Sequence, residues 1–336
     1  MPGWTWLQFA ACAALIGAAG PVLSRSGDII AEKTGLSRGW VGLILLATVT
    51  SLPELATGIS AVTVAGSPDI AVGDALGSCV FNLAILVVLD LMHRDGSLFH
   101  RARQGHILSA AFGTVLIGFV AMSLLLARQG LDWRIGHVGL STPIIMALYA
   151  VAARTLFRYE ARDRESFAEQ VAESYPGITL ASAVRRYAVA ALVVVAAGIW
   201  LPFVGEALAE EMGWRRSFVG TLLVAAITSL PELVVAVAAA RFGALDMAVA
   251  SLLGSNLFDI LIIAVDDVAY PGGPLLAAAS PAHAVTAASA VVMTGIVVIG
   301  LLYRPQGRVF RAVGWVGLGL FTVYVLNAYV LFLNAR

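Results

Sequence analysis

Two five-residue blocks hold the residues with chemistry to offer: Thr50-Ser51-Leu52-Pro53-Glu54 and Thr228-Ser229-Leu230-Pro231-Glu232. In each, Thr and Glu are four apart and share one face of a helix. Each Pro removes a backbone N–H and frees the carbonyl four residues earlier, at Val49 and Ile227. A hydroxyl, a carboxylate and a loosened carbonyl thus fall within one turn. Such oxygen ligands suit a hard cation, Ca²⁺ or Na⁺, and not zinc or copper. Two further blocks follow, Gly77-Ser78-Cys79-Val80-Phe81-Asn82 and Gly254-Ser255-Asn256-Leu257-Phe258-Asp259. Ser78 and Asn82 share a face, as do Ser255 and Asp259. The small residues Gly73, Gly77, Ala250 and Gly254 permit close helix approach. The expected result is one cluster of Glu54, Glu232, Asp259 and Asn82, ringed by Thr50, Thr228, Ser51, Ser229, Ser78 and Ser255.

Positioning that cluster is a task for long apolar helices. The chain has 336 residues, 60% hydrophobic and 12% charged, against about 25% charged in a soluble domain. With two cysteines and this composition, disordered, collagenous and disulfide-scaffold classes are excluded. What remains is an all-α polytopic membrane protein. Apolar runs long enough to cross a bilayer fall near 4–32, 38–65, 69–92, 104–127, 135–156, 186–209, 216–241, 246–268, 282–302 and 312–333. Each Glu lies roughly 22 Å into its run at the usual helical rise, which is mid-membrane. A carboxylate there costs at least ~2.5 kcal/mol and is a functional candidate by default.

The chain is also duplicated. Shifted by 178, Gly27–Leu55 falls on Gly205–Leu233 with fifteen identities in 29 positions: Gly27, Ala31, Glu32, Gly35, Arg38, Val41, Gly42, Leu45, Ala47 and Thr50 to Leu55. Five helices per copy is an odd number, so the second copy enters the membrane upside down, the layout of many secondary transporters. The reading is ten transmembrane helices in two inverted five-helix repeats, 1–156 and 186–336, joined by a cytoplasmic connector, 157–185. Fifteen Lys and Arg fall on one side and five (Arg128, Arg134, Arg215, Arg216 and Arg336) on the other. The positive-inside rule then puts both termini outside, in the cell (inner) membrane. The N-terminal run lacks a basic lead and reads as a first membrane helix.

The doubled blocks resemble the alpha repeats of the calcium/cation antiporter superfamily, which includes the prokaryotic sodium/calcium exchangers. That pattern is a Gly-Thr-Ser-Leu-Pro-Glu block, then one helix on a Gly-Asn-x-x-Gly-Ser-Asn-x-x-Asn/Asp block. The resemblance implies that Glu54 and Glu232 are shared Ca²⁺ and Na⁺ ligands, with Thr50, Thr228 and their carbonyls beside them. It implies Na⁺-liganding hydroxyls at Ser51, Ser78, Ser229 and Ser255, and a centre lined by Asn82 and Asp259. The chain departs from the pattern where Val49 and Ile227 replace Gly and Cys79 replaces Asn. Gly73-Asp74 and Ala250-Ser251 likewise replace Gly-Asn.

The expected function is antiport of Ca²⁺ against Na⁺ by alternating access, or against H⁺ through a buried carboxylate. An intramembrane enzyme using Ser51 or Ser229 would need a general base, yet neither polar helix pair contains His or Lys. A passive channel is usually built from a ring of subunits. No cofactor is expected, and the expected partners are the lipid bilayer and the transported cations. With 21 basic and 21 acidic residues, nothing points to nucleic acid. Of the remaining acids, Asp74 reads either as a solvated helix-start residue or as one that tunes outward cation access or proton competition without being a core ligand. Asp266 and Asp267 read as a solvated helix end, and Asp28 and Glu206 as ends of gating helices. The five His show no metal-ligand spacing.

Overall fold

The computed structural model describes residues 2–34, 50–93, 97–103, 105–165, 177–241, 245–305, 307–309 and 313–335. The first half contains α1 (Pro2–Lys33), α2 (Leu52–Ser60), α3 (Pro68–Met92), the short α4 (Leu98–Arg101), α5 (His106–Arg128) and α6 (Ser141–Glu165). The second contains α7 (Leu180–Met212), the short α8 (Arg216–Phe218) and α9 (Ala225–Thr228), α10 (Leu230–Arg241), α11 (Leu245–Ala269), the short α12 (Leu275–Ala278), α13 (His283–Tyr303) and α14 (Trp315–Leu333). Two-residue hairpin strands precede α6 and α14: β1 (Arg134–Ile135) with β2 (Val138–Gly139), and β3 (Arg308–Val309) with β4 (Val313–Gly314).

Among the described residues seven helices are long and apolar enough to cross a membrane, and the bent pair Arg216–Thr228 with Leu230–Arg241 makes an eighth. The chain is an integral membrane protein. Two expected spans fall short for identifiable reasons. The first part of 38–65 lies outside the described residues, as does Val49, leaving the apolar piece Leu52–Ala65. The fifth runs on from its apolar half through Arg154 and Arg158 to Glu165, which dilutes its hydropathy. Helix α6 continues to Glu165 and α7 begins at Leu180, so helix enters the 157–185 stretch from both sides.

Proline sets the local geometry of both polar segments. Pro53 and Pro231 stand at the second positions of α2 and α10, where the missing N–H costs least. The helix breaks just before, at Ser51 (φ −87°, ψ 16°) and Ser229 (φ −83°, ψ 8°), and the second pair bends by 44°. Beyond α2, Ala61–Ala65 is a π-helical stretch; before α9, Val219–Val224 is another.

The two halves are interlocked, α1 lying along α7. Gly20 of α1 faces Pro231, where a methyl would stand 2.5 Å from the ring. Gly198 of α7 faces Ala56 and the Pro53 carbonyl, with a methyl 2.9 Å from Ala56. Gly73 and Gly77 of α3 meet the backbone at Gly220 and Thr221. Small residues let backbones touch, which is the packing expected in lipid.

Acidic residues at the ends of α3 and α11 pin the other half. Asp90 accepts from Leu98 N (2.7 Å) and Gly314 N (2.7 Å). Asp267 accepts from Leu275 N (2.6 Å), Gly139 N (2.8 Å) and the Thr142 hydroxyl (2.5 Å). At the other ends, Asp69 takes Ser280 N (2.6 Å) and His283 Nε2 (3.0 Å). Asp246 likewise takes Arg103 N (2.8 Å) and His106 Nε2 (3.0 Å). The expectation of a solvated Asp266-Asp267 helix end is therefore wrong. Both are buried, because β2, α12 and the start of α6 cover that end of α11.

Candidate functional site

The helix breaks at Ser51 and Ser229 aim the two polar blocks at each other. Ser51 Oγ donates to Glu232 Oε1 at 3.4 Å, and Ser229 Oγ donates to Glu54 Oε1 at 3.3 Å. Each Glu is thus held by a hydroxyl from the other half. The next layer repeats the exchange, with Thr50 Oγ1 3.4 Å from Ser255 Oγ and Ser78 Oγ 3.5 Å from Thr228 Oγ1. Ser255 also reaches Glu232 Oε1 at 3.5 Å, and Asn82 Nδ2 donates to Asp259 Oδ2 at 3.5 Å. All ten residues singled out in the sequence take part, and all are buried. Glu54 lies in the electrostatic field of Glu232, Asp259 and Asp74.

These separations are long for hydroxyl–carboxylate hydrogen bonds, which favour about 2.7 Å. They match ligand oxygens around an ion: two oxygens at right angles on a shell of ~2.4 Å radius stand ~3.4 Å apart. Several oxygens also have no hydrogen-bond partner among the described residues: Glu54 Oε2, Glu232 Oε2, Asp259 Oδ1, Asn82 Oδ1 and Asp74 Oδ2. Buried acceptors without donors are costly unless a cation or proton meets them. Among the described residues no three Asp, Glu, His or Cys side chains gather as a metal-holding group; hydroxyls and an amide separate the acids.

Asp74 is not the solvated residue its place near the start of α3 suggested. It is buried, and Thr228 Oγ1 donates to its Oδ1 at 2.8 Å. Spacing along α3 alone set it too far from Asn82, but Thr228 arrives from the opposite half and closes the gap. Two more residues escaped the sequence reading as part of the site. Asn256 Nδ2 donates to the Cys79 carbonyl (3.2 Å), and Cys79 Sγ points back to the Asn256 carbonyl (3.7 Å) and Asp259 Oδ2 (3.9 Å). Their matched positions in the two repeats were the available signal. Asp28 and Glu206 were expected near gating-helix ends; Glu206 accepts from Arg216 Nε at 2.5 Å, tying α7 to α8.

A helical membrane protein with an oxygen-lined polar cluster buried between two halves is a transporter-type fold. The chain belongs to the sodium/calcium exchanger protein family, whose pattern matches residues 4–156 and 185–330. It is 28% identical over 335 residues to the sodium/calcium exchanger MaX1 of Methanosarcina acetivorans, covering 92% of this chain and 93% of that one. It shares its fold with the sodium-calcium exchanger NCX_Mj (TM-score 0.62, 21% identity, 97% of this chain and 98% of that one). It also shares it with the H⁺/Ca²⁺ exchanger CAX (TM-score 0.70, 13% identity, 97% and 84%).

Proposed function

We propose that this protein is a secondary antiporter that exchanges Ca²⁺ for Na⁺ by alternating access of two inverted five-helix repeats. The repeats are 1–156 and 186–336, joined by a cytoplasmic connector, with both termini outside the cell (inner) membrane. Glu54 and Glu232 are the shared ligands, helped by Thr50, Thr228, Asp259, Asn82 and the hydroxyls of Ser51, Ser78, Ser229 and Ser255. The observation that carries this reading is the reciprocal pairing of Ser51 with Glu232 and Ser229 with Glu54. Because each carboxylate is oriented by the opposite repeat, relative movement of the repeats changes the ligand geometry. Ca²⁺ and Na⁺ share these oxygen ligands, so their occupancy is mutually exclusive and the two ions alternate. The inverted layout is supported by the matched clasps Asp69–His283 with Asp246–His106 and Asp90–Gly314 with Asp267–Gly139. A proton in place of Na⁺ is the second reading, favoured by the additional buried acids Asp74 and Asp266.

Reconstituted vesicles test the exchange. An outwardly directed Na⁺ gradient should drive calcium uptake, and uptake should stop when that gradient is removed. Calcium entry that persists with no opposing cation gradient would make the protein a channel and sink the antiport reading. The orientation has its own test. An impermeant thiol reagent added to intact cells should label Asn334→Cys, which stands at an exposed position, and spare Asp163→Cys. Labelling at 163 from outside would reverse the topology.

A further inference from the structure

Asp266 is a carboxylate that the cation cluster does not use. It lies seven residues beyond Asp259 on α11, so the two share a face and stand about 10 Å apart along the axis. It is 0% exposed, and neither of its oxygens has a hydrogen-bond partner among the described residues. Its carboxylate rests on Gly58 of α2, one turn beyond Glu54, where any Cβ would collide with it. The matched positions in the repeats are Ala236 for Gly58, at the shift of 178, and Leu89 for Asp266. The latter holds at the shift of 177 that follows a one-residue deletion and pairs Gly77-Ser78 with Gly254-Ser255. At the matched positions the repeats carry a leucine and an alanine in place of this acid and this glycine, and the glycine is what makes room for the acid.

A buried carboxylate with no donor in reach is stable only when something neutralises it. A metal ion would need about six oxygens crowded around it, and among the described residues no group of three Asp, Glu, His or Cys that could hold one occurs. A proton needs one oxygen. The groups facing Asp266 agree with that choice. Asp74 on α3 lies within its field, and Glu54 is one turn along α2. On α6, Thr142 is engaged by Asp267 and Tyr149 is the one titratable residue before Arg154. Strand β2 and α12 carry no titratable side chain, and α5 has none between His106 and Arg128. At the helix end, His137 bonds the Val268 carbonyl.

We propose that Asp266 is a proton-binding site linked to the cation cluster, protonated while the cluster is empty and deprotonated when a divalent cation binds. The proton leaves the carboxyl oxygen for water as two positive charges arrive near Glu54 and Asp259, so the repulsion between them is the link. This rests on the cation cluster being the transport site. By linkage, apparent calcium affinity rises with pH, up to about tenfold per pH unit for one proton released.

The test compares the wild-type protein with Asp266→Asn, using calcium alone as the probe. Infrared spectra without calcium should show a protonated carboxylic acid band that Asp266→Asn lacks and that calcium diminishes in the wild type. Titration calorimetry in two buffers of different ionisation enthalpy should show about one proton fewer released per calcium in Asp266→Asn, with calcium still bound. The double variant Gly58→Ala with Asp266→Leu installs the residues of the repeat-matched positions Ala236 and Leu89 and should behave like Asp266→Asn, which guards against a folding defect in the first. An unchanged band and proton count in Asp266→Asn, or a band that calcium leaves untouched, overturns the proposal. Failure of exchange itself would appear separately, as absent sodium-driven calcium uptake by wild-type vesicles.

Discussion

Replacing Glu54 or Glu232 by Gln should abolish calcium exchange while leaving a folded, membrane-inserted protein. Gln keeps the size of the side chain and one carbonyl oxygen to accept from Ser229 or Ser51. What it removes is a formal charge against a divalent ion in a buried site. Breaking a buried charge pair from one side costs about 3–5 kcal/mol, a factor of roughly 150 to 5,000 in affinity. A monovalent ion loses half as much Coulomb energy when the charge is removed, so calcium should suffer more than sodium. Because each Glu is held by the opposite half, the two single variants should fail alike. Calcium flux near wild-type levels in both would remove the cluster from the transport path.

The second large effect concerns stability. Asp267 accepts from donors of β2, α6 and α12, and Asp90 accepts from the start of α4 and from β4. Hydrogen bonds to a charged acceptor contribute about 1.5–3 kcal/mol each. Asp267→Ala leaves two backbone N–H groups buried without that acceptor. Its detergent-solubilised form should unfold roughly 5–15 °C lower than wild type. The exposed Asp132→Ala serves as the control and should change little. A thermal scan in which Asp267→Ala matches the control would show that these caps do not hold the halves together.

The comparison of these acids shows what a single sequence reveals. Glu54 and Glu232 stood out because a carboxylate at mid-membrane depth is expensive and this one is duplicated with its neighbours. Thr50, Ser78, Ser255 and Asp259 followed from four-residue spacing, a property of one helix at a time. Asp74, Asp266 and Asp267 were misread for the same reason. Along their own helices they lie near ends, and helix ends are usually wet. Their burial depends on Thr228, Gly58 and the β1–β2 hairpin, which arrive from elsewhere in the chain. For Asp267 the repeat held a usable clue, since Asp90 and Leu98 match Asp267 and Leu275 in order and spacing. Asp266 has no such counterpart, and nothing short of the packed structure reveals it.

The π-helical stretch at Val219–Val224 adds a mechanical consequence. A π turn holds more backbone than an α turn of the same span, so this segment contains a spare residue. It lies immediately upstream of Thr228, and the proline break lies immediately downstream. Feeding the spare residue into regular helix would slide Thr228 by ~1.5 Å and swing it by ~100° about the axis. That is ample to separate its hydroxyl from Asp74 and Ser78. Gly73 and Gly77, seated against the backbone at Gly220 and Thr221, are the surface over which such a slide would run. One wall of the cluster therefore carries a spare residue on one side of Thr228 and a proline break on the other.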